Sequence, residues 1–125
     1  MNAELVTLSM ESGLVLNGTE LNVDFRNGRS QRVFVGEERD GSLRLWSIVA
    51  AAALVGELDA ARLRAWQRNR LMELVGFSVD NRGRMIGELW VPEVGLSAEE
   101  WGFCVRYLVK ACDIFEHVLT GRDRH

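Results

Sequence analysis

Hydrophobic and polar residues alternate with period two through residues 14–51. Leu21, Val23 and Phe25 stand against Asn22 and Asp24, Val33 and Val35 flank Phe34, and Leu43, Leu45 and Val49 surround Trp46 and Ile48. Successive side chains of a strand point to opposite faces, so this alternation predicts β-strands. Asn27-Gly28 separates the first two runs and Asp40-Gly41 lies in the second connection; such pairs favour the positive φ angles of tight hairpin turns. The first half of the chain is therefore predicted to be an antiparallel meander, with Asn17-Gly18 adding a short ribbon at its start.

The pattern then changes. Asp59 is a predicted N-cap for a helix over residues 60–72, with Leu63, Trp66, Leu71 and Leu74 as its expected buried residues. Residues 76–79 and 84–91 read as a second hairpin turning through Asp80-Asn81-Arg82-Gly83, where Met85, Leu89 and Val91 alternate with Ile86 and Trp90. The single proline, Pro92, stands between this strand run and the next helix start. Ser97-Ala98-Glu99-Glu100 is a capping box, in which the serine and the third-position glutamate each satisfy a free amide of the other's residue. After it, Trp101, Cys104, Val105, Leu108, Cys112, Phe115 and Leu119 recur at three- and four-residue steps, one apolar stripe of a long helix. Phe103, Val109, Ile114 and Val118 widen the stripe. Glu99, Arg106, Lys110, Asp113 and His117 form its polar strip, and Gly121 ends it.

One feature of the strands bears on function. Leu43, Leu45, Met85 and Leu89 make one face apolar, but Phe34, Trp46, Ile48, Ile86 and Trp90 make the other apolar too. An antiparallel sheet covered on one side normally shows polar residues on its free side. Either the two helices cover opposite faces, or the second set forms an exposed patch large enough to be an interface. Tryptophan and phenylalanine are enriched in such contacts, so self-association or partner binding is the expectation drawn. The broad face of the last helix around Phe103, Tyr107 and Ile114 is the reserve candidate.

Composition narrows the classes. A chain of 125 residues with 47% hydrophobic and 26% charged residues is read as one globular domain, residues 1–125. The longest apolar run, residues 48–55, is far short of the roughly twenty residues a membrane span needs. The start, Met1-Asn2-Ala3-Glu4, lacks the basic and apolar regions of a secretory signal, so a cytoplasmic protein is expected. Cys104 and Cys112 lie in one predicted helix about 12 Å apart, beyond the roughly 7 Å limit between the Cα atoms of a disulfide. They are expected to be reduced core residues.

A net charge of −3 argues against a dedicated nucleic-acid binder. The densest basic cluster, Arg62, Arg64, Arg68 and Arg70, is spread around its helix and makes no stripe. Asp113 and His117 share a helix face at a spacing that can present two metal ligands, but no third ligand accompanies them, so a solvated pair is expected. Glu37-Glu38 and Glu99-Glu100 are explained by a turn and a cap. With only His117 and His125 as candidate bases, nucleophilic catalysis has little to draw on, and no phosphate-binding glycine loop is present. Neither an enzyme nor a resident metal or cofactor is expected.

Several stretches carry a resemblance: Asn27-Gly28-Arg29-Ser30-Gln31-Arg32-Val33, then Asn69, then Phe77-Ser78-Val79-Asp80-Asn81-Arg82-Gly83, and finally Leu96-Ser97-Ala98-Glu99-Glu100 leading to Ala111-Cys112-Asp113-Ile114-Phe115-Glu116. With the element order, they make the chain similar to the YbjN family of sensory-transduction regulators, which share the fold of type III secretion chaperones. The resemblance implies an α+β domain built as β-meander, helix, β-hairpin, helix. It also implies a compact, often dimeric protein that holds a segment of another protein. Such chaperones open with an amphipathic helix, whereas residues 2–12 offer only Leu5, Leu8 and Met10 as a partial stripe, so part of the peptide-binding surface is expected to be absent or reshaped. Two rival readings come from other classes. A small-ligand signalling module would need a deep pocket with convergent polar groups, and a nucleic-acid accessory protein a continuous arginine surface.

Overall fold

The structure, a computed structural model, describes residues 3–25, 28–58, 60–71 and 74–121. Helix α1 (Ala3–Glu11) leads into strands β1 (Val15–Asn17), β2 (Glu20–Asp24), β3 (Ser30–Glu37) and β4 (Ser42–Ala50). Two short helices, α2 (Ala52–Glu57) and α3 (Ala61–Asn69), precede β5 (Gly76–Val79), β6 (Met85–Pro92) and the long α4 (Ala98–Thr120). The strands form one antiparallel sheet in the order β1-β2-β3-β4-β6-β5. The meander and the ribbon at Asn17-Gly18 are thus present. The second hairpin joins the sheet through β6, which pairs with β4 and leaves β5 at the edge.

Strand alternation decides which side is the core. Val33, Val35, Leu43, Leu45, Val49, Met85, Leu89 and Val91 are buried on one face, and α4 lies across it with Trp101, Val105, Leu108, Cys112 and Phe115. Gly87 marks the closest approach: a Cβ there would stand 2.6 Å from the Cys112 Sγ and 3.0 Å from the Phe77 ring. Only glycine lets the helix sit that low, and the Phe77 and Phe115 rings then meet at 4.4 Å. The capping box forms as predicted, with Ser97 accepting from the Glu100 amide at 3.1 Å and Glu100 accepting from the Ser97 amide at 3.0 Å. Gly121 closes α4 in the left-handed conformation, φ 72°.

Two expectations need correction, and one point that the sequence leaves open is answered. The weak amino-terminal stripe is a helix: α1 packs against α4 and β1, with Leu5 and Ser9 fully buried, so docking supplies the stability its own sequence lacks. Met10 stays exposed. Helix α2 occupies part of the apolar run that reads as strand and connection. Helix α3 departs furthest from expectation. It begins after Ala60, whose φ is 52°, while Asp59, the expected cap, and residues 72 and 73 lie outside the described residues. Its buried residues are Ala61 and Ala65, and Leu63, Trp66, Leu71 and Leu74 are all more than half exposed. Among the described residues the helix packs chiefly on the edge strand β5, and Arg64 reaches the end of α4, so two alanines one turn apart suffice as its contact stripe.

Candidate protein-interaction surfaces

Among the described residues no helix packs across the second face of the sheet, so the arrangement with helices on both faces is not the one found. Register places the predicted residues together. Phe34 lies opposite Trp46, Ile48 opposite Ile86, and Trp90 opposite Arg44 on adjacent strands. The Phe34 and Trp46 rings stack at 4.4 Å with 24° between their planes.

The face is not simply apolar, which corrects the expectation. Arg44 and Glu88 share it, and toward its β2 and β3 side Glu20, Asn22 and Arg32 keep it polar. The arginines are interleaved with the rings. Arg44 lies 5.3 Å from the Trp46 ring centroid and 5.8 Å from that of Trp90, and Arg84 lies 5.5 Å from Trp46 on another side. Each guanidinium is also neutralised: Arg44 Nε donates to Glu88 Oε2 at 2.6 Å, and Arg84 Nη2 stands 2.8 Å from Asp80 Oδ2. Ile86 is buried beneath this ladder, Phe34, Trp46 and Ile48 are half-buried, and Trp90 at one end remains 53% exposed. Rings and paired charges thus lie side by side on this face, each guanidinium keeping both a ring and a carboxylate partner.

The turn beside it is held by one carboxylate. Asp80 accepts from the Arg82 amide (3.0 Å), the Arg84 amide (2.9 Å) and Arg84 Nε (2.9 Å). Partial burial pushes the Asp80 carboxyl up, but these hydrogen bonds outweigh it and hold it below the usual carboxylate range.

Phe103, Tyr107 and Ile114 lie elsewhere. They sit on the outer side of α4, where the Phe103 and Tyr107 rings are 5.7 Å apart, and line an open groove of about 550 Å³ reaching Arg68 of α3. Arg106 and Lys110 stand along it. The predicted interaction residues therefore form two surfaces.

Four further apolar side chains, expected in the core, are exposed instead: Leu63 and Trp66 of α3, with Leu71 and Leu74 after it. The alanine pair at positions 61 and 65 is the signal that would have turned α3 correctly. Its arginines have separate tasks. Arg64 donates to the carbonyls of Val118 (2.7 Å) and Leu119 (3.2 Å) at the end of α4, and Arg70 lies 5.3 Å over the Trp66 ring. Asp113 is not merely solvated, since Arg29 Nη1 approaches it at 3.3 Å. Its neighbour His117 is exposed. Cys104 and Cys112 are both free thiols.

No protein-family model and no curated protein sequence matches the chain. Solved structures do match. A chain of the ExsC–ExsE complex superposes with a TM-score of 0.66 at 15% identity, over 95% of this chain and 96% of its own. A chain of the HopA1–SchA chaperone–effector complex gives a TM-score of 0.59 at 12% identity, over 98% and 99%. At these identities the fold is what is shared. The chain has the α+β fold of the type III secretion chaperones, with the predicted meander, helix, hairpin and last helix in order and α1 and α2 in addition.

Proposed function

We propose that this chain is a non-enzymatic protein-interaction module, chaperone- or adaptor-like and akin to the YbjN regulators. In this reading residues 1–125 act as one unit in the cytoplasm, hold a segment of another protein, and pair with a second copy through the sheet face bearing Trp46 and Trp90. The observation that carries the reading is that face: stacked rings and charge-paired arginines left without a helix across them. That a structure of the same fold comes from a chaperone–effector complex supports a partner-holding role. The two thiols, too far apart along α4 to bond each other, fit a reducing compartment. The α4 groove is open with its cations at the rim, unlike the deep pocket with convergent polar groups that a small-ligand module would need.

Sedimentation of the wild type, Trp46→Glu and Trp90→Glu at micromolar concentration tests the pairing. The wild type is expected as a dimer, and Trp90→Glu as a monomer, because an unpaired carboxylate would be placed in desolvated surroundings. A wild type that sediments as a monomer overturns the self-association. A dimer that survives both changes overturns its assignment to the sheet face.

A further inference from the structure

The groove on the outer side of α4 has a chemistry that the sheet face lacks. Its floor is apolar, formed by Phe103, Tyr107, Ala111 and Ile114. Its lining also includes Arg106 and Lys110, with Arg68 at the α3 side and one carboxylate, Glu99. The chain as a whole has a net charge of −3, so this is a locally basic site on an acidic protein. Phe103 is 58% and Ile114 40% exposed, and Lys110 makes no ion pair among the described residues. Arg106 is anchored through Nη2 to the Ser12 carbonyl at 2.6 Å, which fixes one positive charge at the α1 side of the groove.

Resting on the partner-holding reading, we infer that this groove receives an amphipathic, acidic helix of a partner protein, its apolar side on Phe103, Tyr107 and Ile114 and its carboxylates on Arg106 and Lys110. Three arguments select that occupant. Charge complementarity requires acidic flanks, since a basic segment would meet the like charges of Arg106 and Lys110. The lining comes from two helices and offers no strand edge, so a segment lying on the apolar floor must satisfy its own backbone hydrogen bonds, which a helix does. The length also fits: positions 99 to 114 span about 22 Å along α4 at 1.5 Å per residue, the length of about four helical turns.

Fluorescence anisotropy with the full chain tests this. One labelled probe carries leucine and phenylalanine at helical three- and four-residue spacing among glutamates, and its twin carries lysine at every glutamate. The acidic probe is expected to bind at least about tenfold more tightly than the twin and to weaken as salt is raised. Lys110→Glu is expected to weaken it about fivefold, the order of one exposed ion pair, and Phe103→Ala to weaken it further. Both residues are exposed, so neither change endangers the fold, and unchanged denaturant midpoints check this. Equal binding of the two probes, or equal binding by wild type and Lys110→Glu, overturns the groove assignment and leaves the partner-holding reading to its own test. A chain that binds neither probe, and cross-links to no protein of its host, overturns both.

Discussion

Ser9 sits fully buried where α1 meets α4, donating its hydroxyl to the Leu5 carbonyl at 2.8 Å and accepting from the Trp101 indole N–H at 3.0 Å. Trp101 is itself fully buried, so this one hydroxyl removes the cost of an unpaired indole donor in the core. Asn69 plays a comparable part at the sheet edge. Its amide accepts from the Phe77 amide at 2.7 Å and donates to the Phe77 carbonyl at 2.8 Å, standing in for the strand that β5 lacks on that side. Cys112 supplies the pH dependence. Burial beneath Gly87 pushes its thiol well above the ordinary range, with a small addition from the Asp113 charge. In the unfolded chain the same thiol ionises near pH 8.5, so above that pH the unfolded state holds fewer protons and stability falls. Urea denaturation between pH 7.5 and about 9.5 is expected to show a loss approaching about 1 kcal/mol per pH unit at the upper end. Cys112→Ala is expected to flatten most of it. Cys104, half-buried and raised in the same direction by burial and by Glu100, accounts for the remainder. A wild type whose stability is flat over that window would contradict the burial of Cys112.

At the scale of elements, α4 depends on its first turn. The Ser97 hydroxyl accepts from the Glu100 amide, and Ser97→Ala is expected to lower stability by about 1 kcal/mol, read as a shift of the denaturant midpoint at constant slope. Hydrogen bonds from the Ser97 amide and then its hydroxyl hold the Glu100 carboxyl below the usual range. The box is therefore complete above that range and is lost as pH falls below it, through the lowered value of the folded state, so the difference between wild type and Ser97→Ala should narrow in acid. An unchanged midpoint in the variant would mean that α4 does not begin there. The capping box was legible because its signal is local, a hydroxyl and a carboxylate three residues apart. The strands were legible because alternation against one covering helix repeats over many positions, Leu43, Leu45, Met85 and Leu89 among them. Helix α3 was misread because periodicity gives a helix and its candidate faces but not what lies beside it. At a sheet edge, next to β5, the two small alanines made the better contact and the large side chains were left outside. Helix α1 was underrated because its anchor is a serine, and a buried serine is invisible to a hydrophobic stripe.

At the scale of the whole molecule, three exposed surfaces are disposed around one core: the aromatic–arginine face of the sheet, the basic groove of α4, and the apolar side chains on and after α3. Sequence alternation found the residues of the first and helical spacing those of the second. Neither could show that Arg44 would lie between Trp46 and Trp90, because that depends on the register of β4 against β6. The four tryptophans report on the surfaces separately. Trp101 is fully buried, Trp46 is half-buried within the ladder, and Trp90 and Trp66 are 53% and 58% exposed on the sheet face and on α3. If a second copy covers the sheet face, acrylamide quenching of Trp90 should fall with rising protein concentration while that of Trp66 stays constant, since only a ring leaving water loses access to the quencher. Variants in which either Trp66 or Trp90 is changed to phenylalanine separate the two exposed signals while preserving a ring at every site. Protection of Trp90 in step with the sedimenting mass would tie self-association to the ladder. Protection of Trp66 with Trp90 unchanged would transfer the interface to α3, where Leu63, Leu71 and Leu74 lie ready to be covered, and would leave the sheet face free for a partner.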